Sequence, residues 1–381
     1  APRRGLRGRV ARGCPGAERG ALRLAVNATV GHFVRPLYVP EAGLVLCAGD
    51  WTGQVAFLDP ATGEPVFPPV STGVDSIHSL VHAQDKKIML CGSGWTGNVS
   101  AFDAETGQLR FAVDAGVGEY VRTAYAQKAG LAVFAGGGTK SLVAVMQPES
   151  GEVRCRLDPG IGAIWSLTYL PETGCVLCGG SWSRPSESGR VAGLDPERGE
   201  VLFEVDPEVG RYVCGTYAAS SGLVLCGGDR GRVAGLDPTT GATRFTVDAG
   251  VGEVWSLHFL EAPDLVLCVG GWSGLVSGLD PGTGELRFSL NSTLGKVYST
   301  TYAPDLGLVL CGNDEGLVAG IDPVKGELRF VLDAGIHDPG PIDPIKSNPW
   351  KNELWSLAYV PETGLLYCGG NTNFTVRGLS I

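Results

Sequence analysis

The chain has 381 residues, of which 44% are hydrophobic and 18% are charged, so it carries enough apolar material for a large core. Its formal net charge of -10 argues against a nucleic-acid surface, because phosphate binding needs a concentrated positive field. No run of apolar residues is long enough for a membrane-spanning helix. The 58 glycines follow no collagen period and indicate many tight turns between short strands.

Residues 1–19 form a basic N-terminal extension. Seven arginines lie between positions 3 and 23, opposed only by Glu18. This composition favours a solvated, frayed terminus, and an organelle-targeting remnant stays open as the alternative. The segment GRVARGCP (8–15) resembles a worn third strand, either displaced from the fold or left from a longer array.

From residue 20 to residue 381 the chain repeats one unit eight times. The segments GLVLCGGDRGRVAGLDPTTGATRFTVDAGVGEV (222–254) and DLVLCVGGWSGLVSGLDPGTGELRFSLNSTLGKV (264–297) show the pattern. One glycine marks the same turn in every copy, at Gly20, Gly63, Gly107, Gly151, Gly199, Gly241, Gly284 and Gly326. These glycines lie 42 to 48 residues apart, a period that predicts one four-stranded propeller blade per copy.

Each copy divides into four short strands rich in Val, Leu, Phe and Tyr. In the fourth copy we expect strands at 164–170, 175–180, 190–195 and 200–206. No stretch has the 3.6-residue period of a helix over ten or more residues. The predicted fold class is therefore all-β: an eight-bladed β-propeller of four-stranded antiparallel blades, forming a single domain over residues 20–381.

The last copy lacks a fourth strand, and the start of the chain supplies one. The copy that begins at Leu354 stops after its third strand, TVRGLSI (375–381). The segment GALRLAVNATVGH (20–32) aligns with the fourth-strand sequence GELRFSLNSTLGK (284–296). We therefore expect the N-terminal strand to join the C-terminal blade and close the ring, which removes its free edges.

The recurring Asp-Pro-x-Thr-Gly motif predicts a hairpin turn. Proline presets the turn dihedral, the Asp carboxylate accepts hydrogen bonds from following backbone amides, and glycine adopts the positive φ that closes the hairpin. We therefore interpret the motif's aspartates as turn residues without a catalytic or metal-binding role: Asp59, Asp103, Asp195, Asp237, Asp280 and Asp322.

Two propeller families resemble parts of this repeat. The pattern V-x-S-L-x-Y-x-P-x-x-G-L-V-L-C-G-G resembles the first half of a WD repeat, and G-x-V-x-G-L-D-P-x-T-G-E-L-R-F resembles the pyrroloquinoline-quinone-type (quinoprotein-like) repeat. The resemblance covers residues 20–381 and implies the architecture, but such propellers host many unrelated activities. Leu194 and Asp195 stand where WD repeats have Trp-Asp, so that family's Ser–His–Asp–Trp hydrogen bonds are not carried over. Quinone-dependent dehydrogenases carry two adjacent cysteines near the cofactor; none are adjacent here, so we predict no cofactor.

The sequence carries no recognisable motif for catalysis. The five histidines show no zinc-site spacing, and there is no G-x-S-x-G elbow, phosphate loop or dinucleotide fingerprint. Serines recur in strand one without a histidine at a fixed offset, at Ser79, Ser166, Ser256, Ser299 and Ser356. We interpret them as small residues facing a crowded channel, and we predict neither an enzyme nor a metal site.

Seven of the eleven cysteines share one position at the end of strand two: Cys47, Cys91, Cys178, Cys226, Cys268, Cys311 and Cys368. Phe134 takes that position in the third copy, so the cysteines are interpreted as small core hydrophobes. Unpaired thiols favour an intracellular location, cytoplasmic or organellar. Four glycosylation sequons, at Asn27, Asn98, Asn291 and Asn373, keep a secreted protein open as the alternative.

The copies differ most on one face, which propeller geometry makes the top. At the channel-mouth position of strand one they read Arg35, His78, Arg122, Trp165, Cys214, Trp255, Tyr298 and Trp355. The loops between strands two and three carry Trp51, Trp95, Trp182 and Trp272, and the Pro-rich insertion 337–352 carries Trp350. Because exposed Trp, Tyr and Arg dominate binding energies, we predict a binding face at these aromatic and basic residues.

The sequence thus favours a non-catalytic protein–protein interaction scaffold that uses this aromatic-rich top face, alone or within a larger assembly. The identity of the protein partner stays open. The alternative is a lectin-like propeller that binds carbohydrate or another small ligand, with the loop tryptophans stacking on sugar rings. An enzyme with a channel-bound quinone is the least favoured hypothesis.

Overall fold

The computed structural model describes residues 22–31, 33–49, 51–138, 142–181, 189–336, 353–370 and 375–381. In these residues 32 β-strands form eight four-stranded antiparallel sheets arranged in a ring. The predicted eight-bladed propeller is therefore confirmed. The basic extension 1–19, with its worn strand, lies outside the described residues.

Four blades come from the first half of the chain, each with its strands in sequence order. Blades 1 and 2 consist of Arg35–Val39, Leu44–Ala48, Gln54–Leu58 and Pro65–Ser71 (β2–β5), and of Ile77–Ala83, Ile88–Ser93, Asn98–Asp103 and Leu109–Asp114 (β6–β9). Blades 3 and 4 consist of Arg122–Ala126, Leu131–Ala135, Val143–Met146 and Val153–Leu157 (β10–β13), and of Ala163–Tyr169, Val176–Ser181, Val191–Asp195 and Glu200–Val205 (β14–β17).

The remaining blades follow the same order until the last. Blades 5 and 6 consist of Cys214–Ala218, Leu223–Gly227, Arg232–Leu236 and Thr243–Asp248 (β18–β21), and of Val254–Leu260, Leu265–Gly270, Leu275–Leu279 and Leu286–Asn291 (β22–β25). Blade 7 consists of Val297–Ala303, Leu308–Asn313, Leu317–Asp322 and Glu327–Asp333 (β26–β29). Blade 8 consists of Leu354–Val360, Leu365–Gly370 and Thr375–Ser380 (β30–β32), with Leu22–Asn27 (β1) as its outer strand.

The ring is closed by the first strand of the chain. β1 pairs antiparallel with β32, with Ala25 opposite Arg377 and Val26 opposite Val376. The seam continues inward, where the Val34 amide of blade 1 donates to the Gly370 carbonyl of blade 8 at 3.1 Å. The predicted sharing of one blade by the two ends of the chain is confirmed.

The core lies between neighbouring blades, because strands two and three are buried on both faces. In blade 1, β3 is buried along its whole length, and Cys47 has no exposed surface. Phe134 occupies the equivalent site in blade 3 and is equally buried. The interpretation of these cysteines as core hydrophobes is confirmed, and burial raises the pKa of the Cys311 thiol to about 12.

The hairpin turns have the geometry that the repeat predicts. In blade 1 the Asp59 carboxylate accepts hydrogen bonds from the amides of Ala61 and Thr62 at 2.9 and 2.8 Å, and Gly63 adopts φ +69°. In the described part of the chain the helical content is one 3-10 turn, Gln84–Lys86, and no helix there is long and apolar enough to span a membrane.

Candidate functional site

The channel mouth is the top end of the ring's inner wall. We define it as the first residues of strand one in each blade, the inter-blade loop before them, and the nearby loop between strands two and three. Ring contacts join these parts: Trp51 lies 6.0 Å from Phe33, Trp95 lies 5.9 Å from Tyr120, and Trp272 lies 5.8 Å from Trp255. Trp182 and Trp350 lie outside the described residues.

Strand one begins in two different ways, which corrects the sequence alignment. In five blades a bulge leaves one residue without a cross-strand partner: His78, Trp165, Trp255, Tyr298 and Trp355. Blades 1, 3 and 5 have no bulge, so Arg35 pairs with Ala48, Arg122 with Ala135, and Cys214 with Gly227.

The placement of all eight residues at one position was therefore wrong for Arg35, Arg122 and Cys214. These three occupy the position that holds serine in the bulged blades, for example Ser79 opposite Gly92. A bulge inserts one residue and redirects the side chains before it. The signal was present in the spacing, because Arg35 stands twelve residues before Cys47 whereas His78 stands thirteen before Cys91.

In six blades the residue at this paired position links its blade to the next. In blade 2 the Ser79 hydroxyl donates to the Val121 carbonyl of blade 3 at 2.8 Å, and in blade 1 the Arg35 Nη1 donates to the His78 carbonyl at 2.6 Å. The same link runs from Ser166 to Val213, Cys214 to Val254, Ser299 to Leu354 and Ser356 to Pro36. Four of the five serines are therefore structural links around the channel wall, whereas Ser256 contacts His258 of its own strand.

Sequence reasoning missed three aromatic residues at the mouth. Phe33, Tyr120 and Tyr212 immediately precede strand one in the blades without a bulge, with φ of 51°, 54° and 55°. A bulky residue with positive φ is uncommon, and here the same conformation recurs three times. The signal was the local motif Phe/Tyr-Val-Arg/Cys, which ends at Arg35, Arg122 and Cys214.

Six rings form a continuous series around half of the mouth, which we call the aromatic arc: Trp272, Trp255, Tyr298, Trp355, Phe33 and Trp51. Successive ring centroids are 5.2 to 6.3 Å apart, within the range of favourable aromatic pairs. Trp51, Trp255 and Trp272 expose 59%, 46% and 53% of their surface. The arc therefore presents a large apolar area that the fold does not cover.

Three basic side chains lie at the mouth in blades 1 to 3, next to the aromatic arc, and we call Arg35, His78 and Arg122 the basic arc. Burial, then the positive charges of Arg122 and Arg35, lower the pKa of His78 to about 2. Burial and the charge of Arg35 lower the pKa of Arg122 to about 10. The His78 imidazole is therefore neutral at physiological pH, while the Arg122 guanidinium group stays charged.

A buried carboxyl group lies beside the aromatic arc. Glu353 is 2% exposed, and its Oε2 atom has no hydrogen-bond partner among the described residues. Burial is the main cause that raises the pKa of Glu353, and the negative charge of Asp314 adds to it. Hydrogen bonding by Trp355 and Tyr298 lowers this pKa, but burial outweighs it, so the site favours the protonated form.

A second histidine site lies lower on strand one, beside a cavity of about 510 Å³. The His258 Nε2 atom is 2.7 Å from the Ser256 hydroxyl and 2.5 Å from the Thr300 hydroxyl. Nucleophilic catalysis by serine needs a further group that orients the imidazole, and the described contacts of His258 include none. Nor do the described residues contain any cluster of three His, Cys, Asp or Glu side chains that could hold a metal.

Comparisons with known proteins agree with the architecture. The family model described as outer membrane protein assembly factor BamB matches residues 187–333. The repeats are of the pyrroloquinoline-quinone type. The WD-repeat resemblance is the looser of the two that the sequence indicates. No curated protein matches the chain significantly.

Solved structures with this fold cover nearly the whole chain. The crystal structure of the computationally designed Ika8 protein matches with a TM-score of 0.70 and 18% identity, covering 94% of this chain and 98% of that one. BamB from Moraxella catarrhalis matches with a TM-score of 0.65 and 16% identity, covering 95% of this chain and 100% of that one. At these identities the likeness shows the fold alone.

The chain's residues do not fit the quinone group after which pyrroloquinoline-quinone-type repeats are named. The sequence has no adjacent cysteine pair, and the strand-two cysteines are buried between blades. At the mouth, the Cys214 thiol lies 3.5 Å from the Gly227 carbonyl, and no disulfide joins cysteines within the described ranges. We therefore derive no step through such a group.

Proposed function

We propose that this protein is a non-catalytic scaffold that binds a protein partner through the aromatic arc. The observation that carries the proposal is the continuous series of six rings, three of them tryptophans about half exposed. Tryptophan and tyrosine are the residues most enriched at the energetic centres of protein interfaces. A uniform scaffold that leaves these rings uncovered on one face is suited to docking.

Two further features support a protein as the ligand. The family model that matches residues 187–333 is described as an assembly factor, a role that involves protein partners. Lys296 lies 4.7 Å from the Trp272 ring, and Arg211 lies 5.5 Å from the Tyr212 ring, so charged groups border the aromatic surface. An apolar centre with a polar rim is the usual composition of a protein interface.

The location proposed for this scaffold is a reducing compartment inside the cell. Its support is that the cysteines in the described ranges are unpaired and that seven of them are fully buried. Proteins in oxidising compartments more commonly pair their thiols.

The test compares partner binding by the wild type and a triple variant, Trp51→Ala, Trp255→Ala and Trp272→Ala. A matched control, Val66→Ala, Leu109→Ala and Val324→Ala, removes exposed apolar side chains from other surfaces. A protein captured from native extract would be identified, purified and titrated against all three forms. We expect at least about 100-fold weaker binding by the tryptophan variant alone, because interface anchors each contribute about 2 kcal/mol or more.

Equal binding by the tryptophan variant and the control would overturn the proposal. A wild type that captures no protein but binds glycans in a way that depends on these tryptophans would replace the scaffold with the lectin-like alternative. That alternative has one observation in its favour: Trp51, Trp95 and Trp272 share a loop position and each exposes more than half of its surface.

A further inference from the structure

Arg122 is a cation at the channel mouth that has no counter-charge among the described residues. Its Nε atom is buried and has no hydrogen-bond partner among the described residues. Its guanidinium group lies 5.7 Å from the Trp165 ring. Arg211 lies over an aromatic ring in the same way, 5.5 Å from Tyr212, but it also forms an ion pair with Asp229 at 2.8 Å. Unlike Arg211, Arg122 therefore has no anionic partner among the described residues.

The neighbours of Arg122 increase the local positive field. Arg35 approaches from blade 1, with its Nη1 bonded to the His78 carbonyl, and its charge lowers the pKa of Arg122. The His78 Nε2 atom is buried and has no hydrogen-bond partner in the described part of the chain. Two basic side chains thus have polar atoms buried without a partner at one side of the mouth.

The ring of links between blades does not account for Arg122. The equivalent residues Arg35 and Cys214 each donate to a strand-one carbonyl of the next blade, whereas Arg122 makes no such bond. Burying a cation without a counter-charge costs stability, so this arginine contributes little to folding. A group that destabilises the free protein and faces a binding surface is a candidate for contact with a ligand.

We propose that Arg122, Arg35 and His78 form a subsite that binds a carboxylate of the protein partner, an acidic side chain held against the wall of Trp165. The planar guanidinium fork matches a carboxylate in a bidentate geometry, and the His78 Nε2–H supplies a further donor in the corresponding tautomer. The whole chain carries a net charge of -10 and repels an acidic segment at long range, so only the local positive field of this site attracts a carboxylate, at short range. The inference rests on the proposed scaffold function.

The experiment uses a defined probe and does not require the natural partner. A hexaglutamate peptide would be titrated calorimetrically at low ionic strength into the wild type, Arg122→Met and the matched control Arg211→Met. Hexaglutamine and inorganic phosphate serve as neutral and non-carboxylate probes. We expect Arg122→Met to weaken hexaglutamate binding by about tenfold or more, because a hydrogen bond to a charged group is lost. Arg211→Met should change the affinity less than about twofold.

The melting temperature provides a second readout. Arg122→Met removes a buried cation without a counter-charge, so the free variant should melt at the same or a higher temperature than the wild type. A residue with a purely structural role would show the opposite. If Arg122→Met does not fold, Arg122→Lys keeps the charge but loses the fork, and weaker hexaglutamate binding by this variant supports the subsite equally.

Three results would overturn the subsite: no hexaglutamate binding by the wild type, equal binding by wild type and Arg122→Met, or binding of phosphate alone. Each of them leaves the scaffold proposal standing if the tryptophan variant still loses the purified partner. The opposite outcome is also distinguishable. If hexaglutamate binding depends on Arg122 but the tryptophan variant binds the partner as well as the wild type does, the subsite is supported and the aromatic arc is rejected as the docking surface.

Discussion

The two sides of the channel mouth are built from nearly the same repeat but have opposite chemistry. Strand one contributes Arg35 and Arg122 in blades 1 and 3, and Trp255 and Trp355 in blades 6 and 8. The basic arc is mostly buried, whereas the aromatic arc exposes large rings. The blade core fixes the backbone on both sides, so substitution at the first residues of strand one changes the surface without changing the fold.

Each side also holds a titratable group in an unfavourable environment, and the two groups respond to pH in opposite directions. Burial and two cations lower the pKa of His78, so this side resists gaining a proton. Burial raises the pKa of Glu353, so the other side resists losing one. The difference is compatible with the proposals that the basic arc binds an anionic group and the aromatic arc an apolar surface of one partner.

The largest expected effect comes from opening the seam between blades 8 and 1, which the aromatic arc crosses between Trp355 and Phe33. A Cβ atom at Gly369 in blade 8 would lie 2.0 Å from the Val34 carbonyl oxygen of blade 1. Gly369→Ala should therefore lower the free energy of unfolding by about 3 kcal/mol, as overpacking against backbone does. The matched control is Gly364→Ala, which has open space around it and φ +64°, and it should cost about 1 kcal/mol. Equal losses in urea denaturation would contradict a tight seam.

A smaller effect is expected from His78 in acid. The folded-state pKa is far below the ordinary value of 6.5, so the unfolded chain binds the proton more readily. The stability contributed by neutral His78 is present above pH 6.5 and is lost as the pH falls below it. Between pH 7 and pH 5 the wild type should lose about 1–2 kcal/mol more than His78→Phe. Parallel stability curves for the two proteins would show that the imidazole is not held neutral.

The smallest expected effect has the opposite sign and comes from Glu353. Its folded-state pKa is raised above 4.5, so the folded protein holds this proton more tightly than the unfolded chain. The contribution to stability is full below pH 4.5 and is lost as the pH rises through the folded-state pKa. Glu353→Gln should therefore stabilise the protein at pH 7 by about 1 kcal/mol and have no effect at pH 4. A variant that melts lower at pH 7 would mean that the carboxylate has a stabilising partner.

The sequence was sufficient for the fold because the repeat carries redundant signals. The turn motif Asp-Pro-x-Thr-Gly, the strand-two Leu-Cys-Gly and the period of 42 to 48 residues recur in register, so each copy supports the others. In the fourth copy the predicted strand 200–206 is observed as Glu200–Val205, and 190–195 as Val191–Asp195. The closing strand was equally predictable, because the last copy lacks a fourth strand and the N-terminal segment resembles the fourth strand of the other copies.

The channel mouth was less predictable because a single inserted residue changes which side chains face the channel. The sequence alignment placed Arg122 opposite Trp165 because each follows a valine or an isoleucine. This alignment missed the bulge at Trp165, and it therefore missed that Arg122 pairs with Ala135. The positive φ of Tyr120 likewise depends on the three-dimensional path of the loop. Ring contacts between blades, such as Tyr298 with Trp355 at 5.2 Å, follow from closure and not from local pattern. That these residues bind a partner stays a prediction.

The shared eighth blade also determines when the ring can close during protein synthesis. β1 is made before the seven blades that separate it from its partner β32, so it waits about 20–70 s for that partner at 5–20 residues per second. During this interval β1 lacks its native partner strand and is prone to pairing with other chains. The blades between them can fold meanwhile, but the ring cannot close. We therefore expect the nascent chain to depend on chaperones that cover exposed strands until β32 has been made.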